Sequence, residues 1–364
     1  MLKKFLPFIV FLLIGLYLAF ASPIQNPIRP VEAKQETIKA EIVAVENESN
    51  GIQNLKVKDQ TGRIFSVTND ETMVLNPRTF IPGDEVMILT ANDGQPYIGD
   101  FVREKPLLIL LVIFVVLVLL ITKTQGFFSL FGMLFSFVVI FQLILPLILS
   151  GFSPLLAAII GATLIIPANF YLSHGLNRKT TVAVIATLIT LTISALLAVF
   201  FSDFAHLSGT ASDEVSFLSL DIAAKIDLKG LLLAGMILSL LGILDDITIA
   251  QASIVQQLKG AKNKISFAEL FARAMHVGRD HIASLVNTLI LVYAGASLPL
   301  LLLFLDHSQT LASVINYEFL AEEITRTLIG SIGIVLAVPL TTLLAALVLG
   351  KAKPGEAEGS HCCH

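Results

Sequence analysis

Long apolar runs separated by short polar segments make up most of the chain. A helix needs about 20 apolar residues to cross the hydrocarbon core of a bilayer, and most of these runs come close to that length. The pattern predicts a polytopic α-helical membrane protein with about eight spans, or seven if the first run is cleaved. The predicted spans are residues 5–20, 106–122, 127–149, 154–173, 180–201, 231–254, 282–305 and 328–349.

The first run has the features of a secretory signal or of a membrane anchor. Lys3 and Lys4 precede it, and it ends in the small-x-small sequence Ala19-Phe20-Ala21. Residues 1–21 are therefore a signal peptide or an uncleaved signal anchor, and both place the next segment outside the cell. The polar, Pro-rich residues 22–33 form a tether.

Residues 34–104 follow a different pattern, with short stretches that are typical of β-strands. Pro82-Gly83-Asp84 is a turn signal, and Asn92-Asp93-Gly94 is typical of a β-hairpin. We predict a small all-β domain of about five short strands, similar to an OB barrel. Its lack of a basic or aromatic face favours a spacer or partner-docking role over nucleic-acid binding.

The basic residues of the loops indicate the orientation. Ten of them fall on one side of the predicted spans, which the positive-inside rule assigns to the cytoplasm. The other side carries the β domain and two acidic loops, so the β domain is extracytoplasmic. Both termini are cytoplasmic, including the tail at residues 351–364. The basic positions are Lys3, Lys4, Lys123, Arg178, Lys179, Lys259, Lys262, Lys264, Lys351 and Lys353.

Composition supports a membrane protein. Of the 364 residues, 55% are hydrophobic and 14% are charged, whereas soluble domains carry about 25% charged residues. The mean hydropathy is +0.82. A net charge of −4 without basic blocks argues against a nucleic-acid partner. The two cysteines, Cys362 and Cys363, both lie in the tail, so we expect no disulfide framework.

The helix predicted for residues 230–258 carries two adjacent carboxylates, Asp245 and Asp246, inside its apolar run. An aspartate near the bilayer centre costs about 2.5–3.5 kcal/mol on insertion scales, so the pair requires an explanation. Asp246 shares a helical face with small and polar residues, and Asp245 lies about 100° round the helix from it. The other members of that face are Gly235, Ser239, Gly242, Ala250, Ser253 and Gln257.

Three interpretations of Asp246 stay open. It is a structural residue that bonds between helices, or a proton or cation site on a transport path. In the third, the helix ends early and leaves both aspartates at the membrane interface. Asn287 and Thr288 lie at a similar depth in the next predicted span. A bundle that placed them against Asp246 would form a polar cluster in the membrane. With Asp245 and Ser253, these residues are the candidates for ion coupling.

A hydroxyl-bearing face also occurs in the span at residues 180–201. Thr187, Thr190 and Ser194 share it with Ala183. Small polar stripes of this kind mostly pack helices together, and a hydroxyl-lined path is the alternative.

Residues 262–281 have the pattern of an amphipathic helix on the cytoplasmic side. Glu269 and Arg273 form an i,i+4 pair away from its apolar face. The helix either packs as a lid or lies on the membrane as a coupling surface for a cytoplasmic partner, to which Glu269 would belong. Arg279 and Asp280 either mark a helix start, where acidic residues are favoured, or act in gating. The apolar face comprises Phe267, Leu270, Phe271, Ala274 and Met275.

Motifs for enzymatic chemistry are missing from the sequence. It contains no P-loop, HExxH, GxSxG or Rossmann glycine pattern. The tail sequence His361-Cys362-Cys363-His364 suggests a metal site, but adjacent cysteines rarely bind one ion. We therefore expect no enzymatic activity, no cofactor and no metal.

Four segments resemble the YibE/F-like family of prokaryotic multi-pass membrane proteins. They are GILDDITIAQAS at residues 242–253, ELFARAMHVGRD at 269–280, NTLILVYAGASLP at 287–299 and GSIGIVLAVP at 330–339. The resemblance covers residues 106–350 and implies an integral protein of the cell membrane with a β-rich ectodomain. It implies no established substrate. It places Asp246 at the acidic position of the family motif, whereas the position of Asp245 is often apolar.

These observations lead to two hypotheses about function. The first is a transporter of unknown substrate, coupled to protons or cations through an intramembrane aspartate. The alternative is a non-catalytic scaffold or partner subunit, which acts through its β domain and its cytoplasmic amphipathic helix. Its partner would be another protein or a second copy of the chain.

Overall fold

The computed structural model of the chain describes residues 2–20, 37–49, 52–70, 79–90, 95–211, 215, 218, 225–262, 264–298, 302 and 311–350. The chain divides into two compact units. One comprises residues 29–121, and the other comprises residues 1–28 with residues 122–364. The first contains the β domain and the second contains most of the helices.

The β domain is one antiparallel sheet of five strands in the order β3-β2-β1-β4-β5. The edge strands β3 and β5 approach each other, so the sheet curls toward a barrel. Alternate side chains of β1, β2 and β4 fill its core, among them Ile42, Leu55 and Val86. The strands are β1 (Ile38–Ser49), β2 (Ile52–Asp59), β3 (Ile64–Asp70), β4 (Glu85–Thr90) and β5 (Pro96–Phe101).

The prediction of a small five-stranded β domain is confirmed. Strands β4 and β5 pair as an antiparallel hairpin, as the Asn-Asp-Gly signal indicated, although residues 91–94 lie outside the described residues. The expected turn at Pro82-Gly83-Asp84 is present, and Gly83 adopts a φ of +97° there. Glycine suits this position because other residues rarely adopt positive φ.

The turn between β2 and β3 is organised by the carboxylate of Asp59. Its Oδ1 accepts hydrogen bonds from the backbone N–H of Thr61 at 2.8 Å and of Arg63 at 2.9 Å. Thr61 Oγ1 donates to the same oxygen at 2.6 Å, and Arg63 Nε donates to Oδ2 at 3.1 Å. The hydrogen bond from the Thr61 side chain is the main reason that the pKa of Asp59 is lowered from its ordinary value.

The helices are α1 (Leu2–Phe20), α2 (Glu104–Val139), α3 (Leu145–Leu149), α4 (Pro154–His174), α5 (Arg178–Phe204), α6 (Leu228–Ala261), α7 (Phe267–Ala296), α8 (Leu311–Val314) and α9 (Glu318–Leu349). A π-helical turn, Ile140–Ile144, joins α2 to α3. It precedes Pro146, which has no N–H to donate and therefore disturbs the regular hydrogen-bond pattern.

Five helices among the described residues are long and apolar enough to cross a membrane. They are Glu104–Leu149, Pro154–His174, Arg178–Phe204, Leu228–Ala261 and Glu318–Leu349, and Pro7–Leu18 is a shorter apolar helix. A mostly helical protein with several candidate membrane spans and a small β domain is therefore confirmed.

The first of these helices is too long for a single crossing. Its 46 residues would extend about 69 Å, roughly twice the thickness of the hydrocarbon core. The backbone leaves helical geometry at Lys123, with φ 53° and ψ −129°. This break falls between the predicted spans 106–122 and 127–149.

Helix α6 lies in the middle of the helical unit and contacts α4, α5, α7 and α9. Its apolar side belongs to the largest hydrophobic core, and Ile237, Leu244 and Ile247 are completely buried there. Helix α1 packs against the same core, with Phe8 against Phe131. The helix predicted for residues 230–258 is thus confirmed, and the structure places it at the centre of the described helices.

Side-chain caps fix where several helices begin. The side-chain Oδ1 atom of Asn177 accepts a hydrogen bond from the Thr180 N–H at 2.9 Å at the start of α5. Asp227 accepts from the Gly230 N–H at 3.0 Å at the start of α6. Ser266 begins α7 by accepting from the Glu269 N–H at 3.2 Å. Each bond satisfies a donor that has no partner inside the helix.

Two predicted boundaries were wrong. The amphipathic segment 262–281 and the start of the next predicted span form one helix, α7, which runs to Ala296. The span predicted for residues 282–305 is not among the five candidates, and residues 299–301 and 303–305 lie outside the described part of the chain. Helix α9 begins at Glu318, ten residues before the predicted span at 328.

Replacing Asp59 by alanine should expose the turn between β2 and β3. Hydrogen exchange of the Thr61 and Arg63 amides at pH 7 should rise at least about tenfold, because both lose a charged acceptor. The pKa of Asp59 is lower in the folded protein than its ordinary value. The ionised carboxylate therefore stabilises the folded state above the ordinary pKa, and this stabilisation is lost as the pH falls through the pKa of the folded protein. If the full-length Asp59→Ala variant exchanged these two amides as slowly as the wild type does, this role would be contradicted.

Candidate intramembrane site

Asp245 lies where α6 contacts α4. The Asn169 side chain on α4 forms a hydrogen bond with its carboxylate. Ser136 on α2 donates to Asn169 Oδ1 at 3.2 Å, which leaves the Asn169 amide nitrogen to donate to Asp245. The Oδ1 atom of Asp245 is buried and has no hydrogen-bond partner among the described residues. The Asp245 carboxylate is therefore only partly satisfied, and Asn169 links it to Ser136 of α2.

A glycine permits this arrangement. Gly132 on α2 faces Asn169, and a Cβ atom at Gly132 would lie 2.9 Å from Asn169 Oδ1. Such a contact is shorter than ordinary van der Waals packing allows, so any larger residue would push α2 away from α4. The glycine therefore lets Ser136, one turn further along α2, reach Asn169.

The Asp245 carboxylate has no cationic partner among the residues that the structure describes. The charge that acts on it is the neighbouring carboxylate of Asp246. An isolated ionised carboxylate is costly in an apolar interior, and a proton or a bound cation removes that cost. The arrangement is chemically suited to take up one of these.

Asp246 occupies a different environment from its neighbour. It is exposed in the described chain, as are Gly235, Ser239 and Gly242 on the same face of α6. A Cβ atom at Gly235 or Gly242 would meet nothing within 4 Å. The small, polar face of α6 therefore does not pack against another described helix, and α6 uses its other faces for that purpose.

The remaining predicted candidates do not join Asp246. Asn287 and Thr288 are exposed on α7, and Thr288 Oγ1 donates to the Ser284 carbonyl of its own helix at 3.0 Å. Ser253 likewise donates to the Ile249 carbonyl at 2.7 Å. Among the described residues, no hydrogen bond links these side chains to Asp246. The polar cluster that was predicted around Asp246 is therefore not formed by these residues.

A second polar contact, around Gln251, joins three helices. Gln251 Nε2 on α6 donates to the Ala274 carbonyl of α7 at 3.1 Å and to Thr342 Oγ1 of α9 at 2.6 Å. The Gln251 side chain is completely buried. Gly278 permits the close approach of α7, since a Cβ atom there would lie 2.5 Å from Val338 Cγ1. This contact fixes α6, α7 and α9 relative to each other.

The hydroxyl-bearing face of α5 is buried between helices. Thr187, Thr190 and Ser194 are all inaccessible to solvent. Thr187 Oγ1 and Thr248 Oγ1 of α6 lie 2.7 Å apart in a hydrogen bond. Ser194 lies beside Gly333 of α9, where a Cβ atom would come within 2.9 Å of Ser194 Oγ. The face packs α5 tightly against α6 and α9.

The cytoplasmic candidates lie on α7. Glu269 pairs with Lys262 and Arg273, each at 2.8 Å. The hydrogen bond from Lys262 is the main reason that the pKa of Glu269 is lowered. Leu270 and Ala274 pack against α5, α6 and α9, as the lid interpretation expected. Arg279 and Asp280 are exposed in the middle of α7, so the interpretation as a helix start was wrong.

Several polar residues of these contacts were not assigned from the sequence, among them Ser136, Thr248, Gln251 and Thr342. In the sequence, Asn169 is a polar residue inside the apolar run at residues 154–173, and nothing there connects it with Asp245. Periodicity shows that Gln251 and Thr248 share a side of α6, but it gives no reason to connect them with residues 91 positions away, such as Thr342.

Metal binding receives no further support. Among the described residues, no group of three or more His, Cys, Asp or Glu side chains is arranged to hold an ion. The His361-Cys362-Cys363-His364 sequence lies outside the described residues.

Replacing Gln251 by leucine should loosen the contact between α6, α7 and α9. The Ala274 carbonyl and the Thr342 hydroxyl lose a shared donor, which should lower the free energy of unfolding by about 1–2 kcal/mol. The thermal midpoint of the purified protein in detergent measures this change. Gln257→Leu, at an exposed position of the same helix, is the matched control and should stay within about 0.5 kcal/mol. Equal effects would contradict a specific role for Gln251.

Comparison with known proteins gives a family and no close relative. No curated protein and no solved structure matches the chain. The sequence model of the YibE/F-like protein family matches residues 110–351, about two thirds of the chain. The matched region begins in α2 and extends past the end of α9, so it contains α6 with its aspartate pair. The chain therefore belongs to the YibE/F-like protein family.

Proposed function

We propose that this protein is a transporter of the cell membrane, coupled to protons or cations through Asp245. The observation that carries the proposal is the buried Oδ1 atom of Asp245, which has no hydrogen-bond partner among the described residues. Intramembrane ionisable residues usually belong to ion or proton pathways. Asp245 is the better-placed member of the pair, because Asp246 is exposed.

The proposed coupling acts through the contact between α4 and α6. When Asp245 is charged, the Asn169 amide donates to it, and a cation balances its charge at Oδ1. When Asp245 is protonated, that oxygen no longer requires a cation, and the hydrogen bond to Asn169 weakens. The relative stability of the two helix arrangements then depends on what Asp245 binds, which is the requirement for coupled transport.

The proposed topology has about eight spans with both termini in the cytoplasm. The five candidate helices account for six crossings if the chain turns at Lys123, and α1 and α7 supply the other two. Basic loop residues support this orientation, because they fall on the side that the positive-inside rule assigns to the cytoplasm. The β domain then lies outside the cytoplasm.

Asp245→Asn should abolish the response of the protein to its coupling ion. The thermal midpoint of the wild type should rise with saturating Na⁺, K⁺ or Li⁺, or it should depend on pH. A cation at 100 times its Kd would stabilise the folded state by about 2.7 kcal/mol. The variant has nearly the same shape and retains an acceptor for Asn169, so it should fold without responding. Choline chloride at equal ionic strength corrects for general salt effects.

Asp246→Asn is the matched control for this experiment. Since Asp246 is exposed in the described chain, its replacement should leave the response intact. A response lost only in Asp246→Asn would move the coupling site to the acidic position of the family motif. A wild type that responds to neither ions nor pH would remove the coupling mechanism.

A partner subunit or scaffold is the second candidate function, and the exposed face of α6 favours it. A lipid-facing carboxylate is costly, and small residues beside it allow another helix to approach closely. A partner that covered Ser239, Gly242 and Asp246 would remove Asp246 from lipid. The β domain and the Glu269 side of α7 are further surfaces for partners.

Cysteine cross-linking tests whether a second copy covers this face. In a Cys362→Ser, Cys363→Ser background, Ser239→Cys should form a disulfide-linked dimer in native membranes under mild oxidation. Ile185→Cys, on an exposed apolar position of α5, is the control and should stay monomeric. A monomer in both cases, together with a stoichiometric second protein after purification in mild detergent, would assign the face to a different partner.

A further inference from the structure

A cavity of about 250 Å³ lies between the first turns of α6, the first turns of α9 and three described residues after α5, namely Gly209, Val215 and Leu218. Its lining comprises four leucine side chains and Val215, together with Gly209, Gly235, Glu322 and Arg326. Since one water takes up about 30 Å³ in the liquid, the space is large enough for a small organic molecule.

Glu322 is the central polar group of this cavity. It is only 4% exposed, although glutamate is almost never buried unless it is paired. The Gly209 backbone N–H donates a hydrogen bond to its carboxylate. Its Oε1 atom is buried and has no partner among the described residues. One acceptor of a buried carboxylate at the cavity wall is therefore unused.

The charges around the cavity favour a positive ligand. Arg326 is the basic residue of the lining, and its Nη1 atom already donates to Glu323 Oε1 at 2.7 Å. Glu318 accepts from the Ser208 N–H, so a third glutamate lies on the same end of α9. Three carboxylates near one guanidinium leave this end of the helix negative. The buried Nε of Arg326 is a spare donor for a water or a ligand hydroxyl.

The walls distinguish between kinds of cation. Metal ions such as Ca²⁺ require six to eight oxygen ligands, and this cavity offers one carboxylate among leucine side chains. An ammonium group needs one good acceptor, and a hydrocarbon body suits the apolar wall formed by Leu218, Leu228 and Leu231.

We propose that this cavity binds a small organic ammonium ion, with its nitrogen at Glu322 and its hydrocarbon body against the leucine side chains. The inference goes beyond the proposed function and does not depend on Asp245. The site is built from the beginnings of α6 and α9, whereas the carboxylate of Asp245 contacts α4.

Calorimetric titration of the purified full-length protein with n-pentylammonium chloride tests the proposal. We expect saturable binding to the wild type, and at least about tenfold weaker binding to Glu322→Gln, because a charged hydrogen bond is lost. The neutral 1-pentanol, which has a similar shape, should bind at least about tenfold more weakly than the ammonium ion. Equal binding of the two probes, or no binding of n-pentylammonium to the wild type, would overturn the proposal.

A second variant keeps the test valid if Glu322→Gln fails to fold. Gly235 lines the cavity, and a Cβ atom there would meet nothing within 4 Å. Gly235→Leu should therefore fill the cavity without disturbing α6, and it should abolish n-pentylammonium binding while the thermal midpoint is maintained. Undiminished binding in this variant would place the ligand elsewhere and overturn the proposal.

Two further measurements distinguish this site from ion binding at the aspartate pair and from a site for amino acids. Asp245→Asn and Asp246→Asn should both bind n-pentylammonium as tightly as the wild type does, so loss of ion coupling leaves this result unaffected. Leucine presents the same kind of ammonium and hydrocarbon body with an added carboxylate. Leucine binding more tightly than n-pentylammonium would make Arg326 the anchor and would contradict a site for simple cations.

Discussion

The burial of α6 among its neighbours is the constraint on which the helical unit depends. Helices α4, α5, α7 and α9 all contact it, so only one strip of its surface stays exposed. Ile237, Leu244 and Ile247 fill the core on the buried side. Because adjacent residues of a helix lie about 100° apart, this packing directs Asp245 toward Asn169 and leaves Asp246 in the exposed strip.

Polar groups in this interior fall into two classes. Thr187, Thr248, Gln251 and Thr342 form hydrogen bonds between helices, which hold α5, α6, α7 and α9 together. Asp245 and Glu322 each keep a buried oxygen without a described partner. The hydrogen bonds of the first class explain the arrangement of the bundle, although Gln251 Oε1 itself has no partner among the described residues. The unsatisfied carboxylates of the second class are the places where an exchangeable proton, cation or ligand has a physical role.

The limits of sequence reasoning appear most clearly at helix ends. The polar residues Arg279 and Asp280 suggested a boundary, but no proline interrupts the chain there and α7 continues through them. Likewise, one of the two predicted acidic loops, residues 306–326, contains Glu322, whereas the structure buries this residue inside the first turns of α9. In the sequence, a charged residue suggests a loop. Only the positions of the neighbouring helices show whether its side chain lies in the interior of the bundle.

The sequence by itself determined the class of protein, most of its helices and the strands of the β domain. The length of an apolar run and the alternation of a β-strand are local properties of the sequence. They can therefore be recognised without knowledge of the fold. The tertiary structure decided which member of the aspartate pair has a buried carboxylate oxygen and which side chain it contacts. It also placed Glu322 and Gln251 in the interior. Helical periodicity defines the faces of one helix, but the choice of neighbour for each face depends on how all the helices pack together.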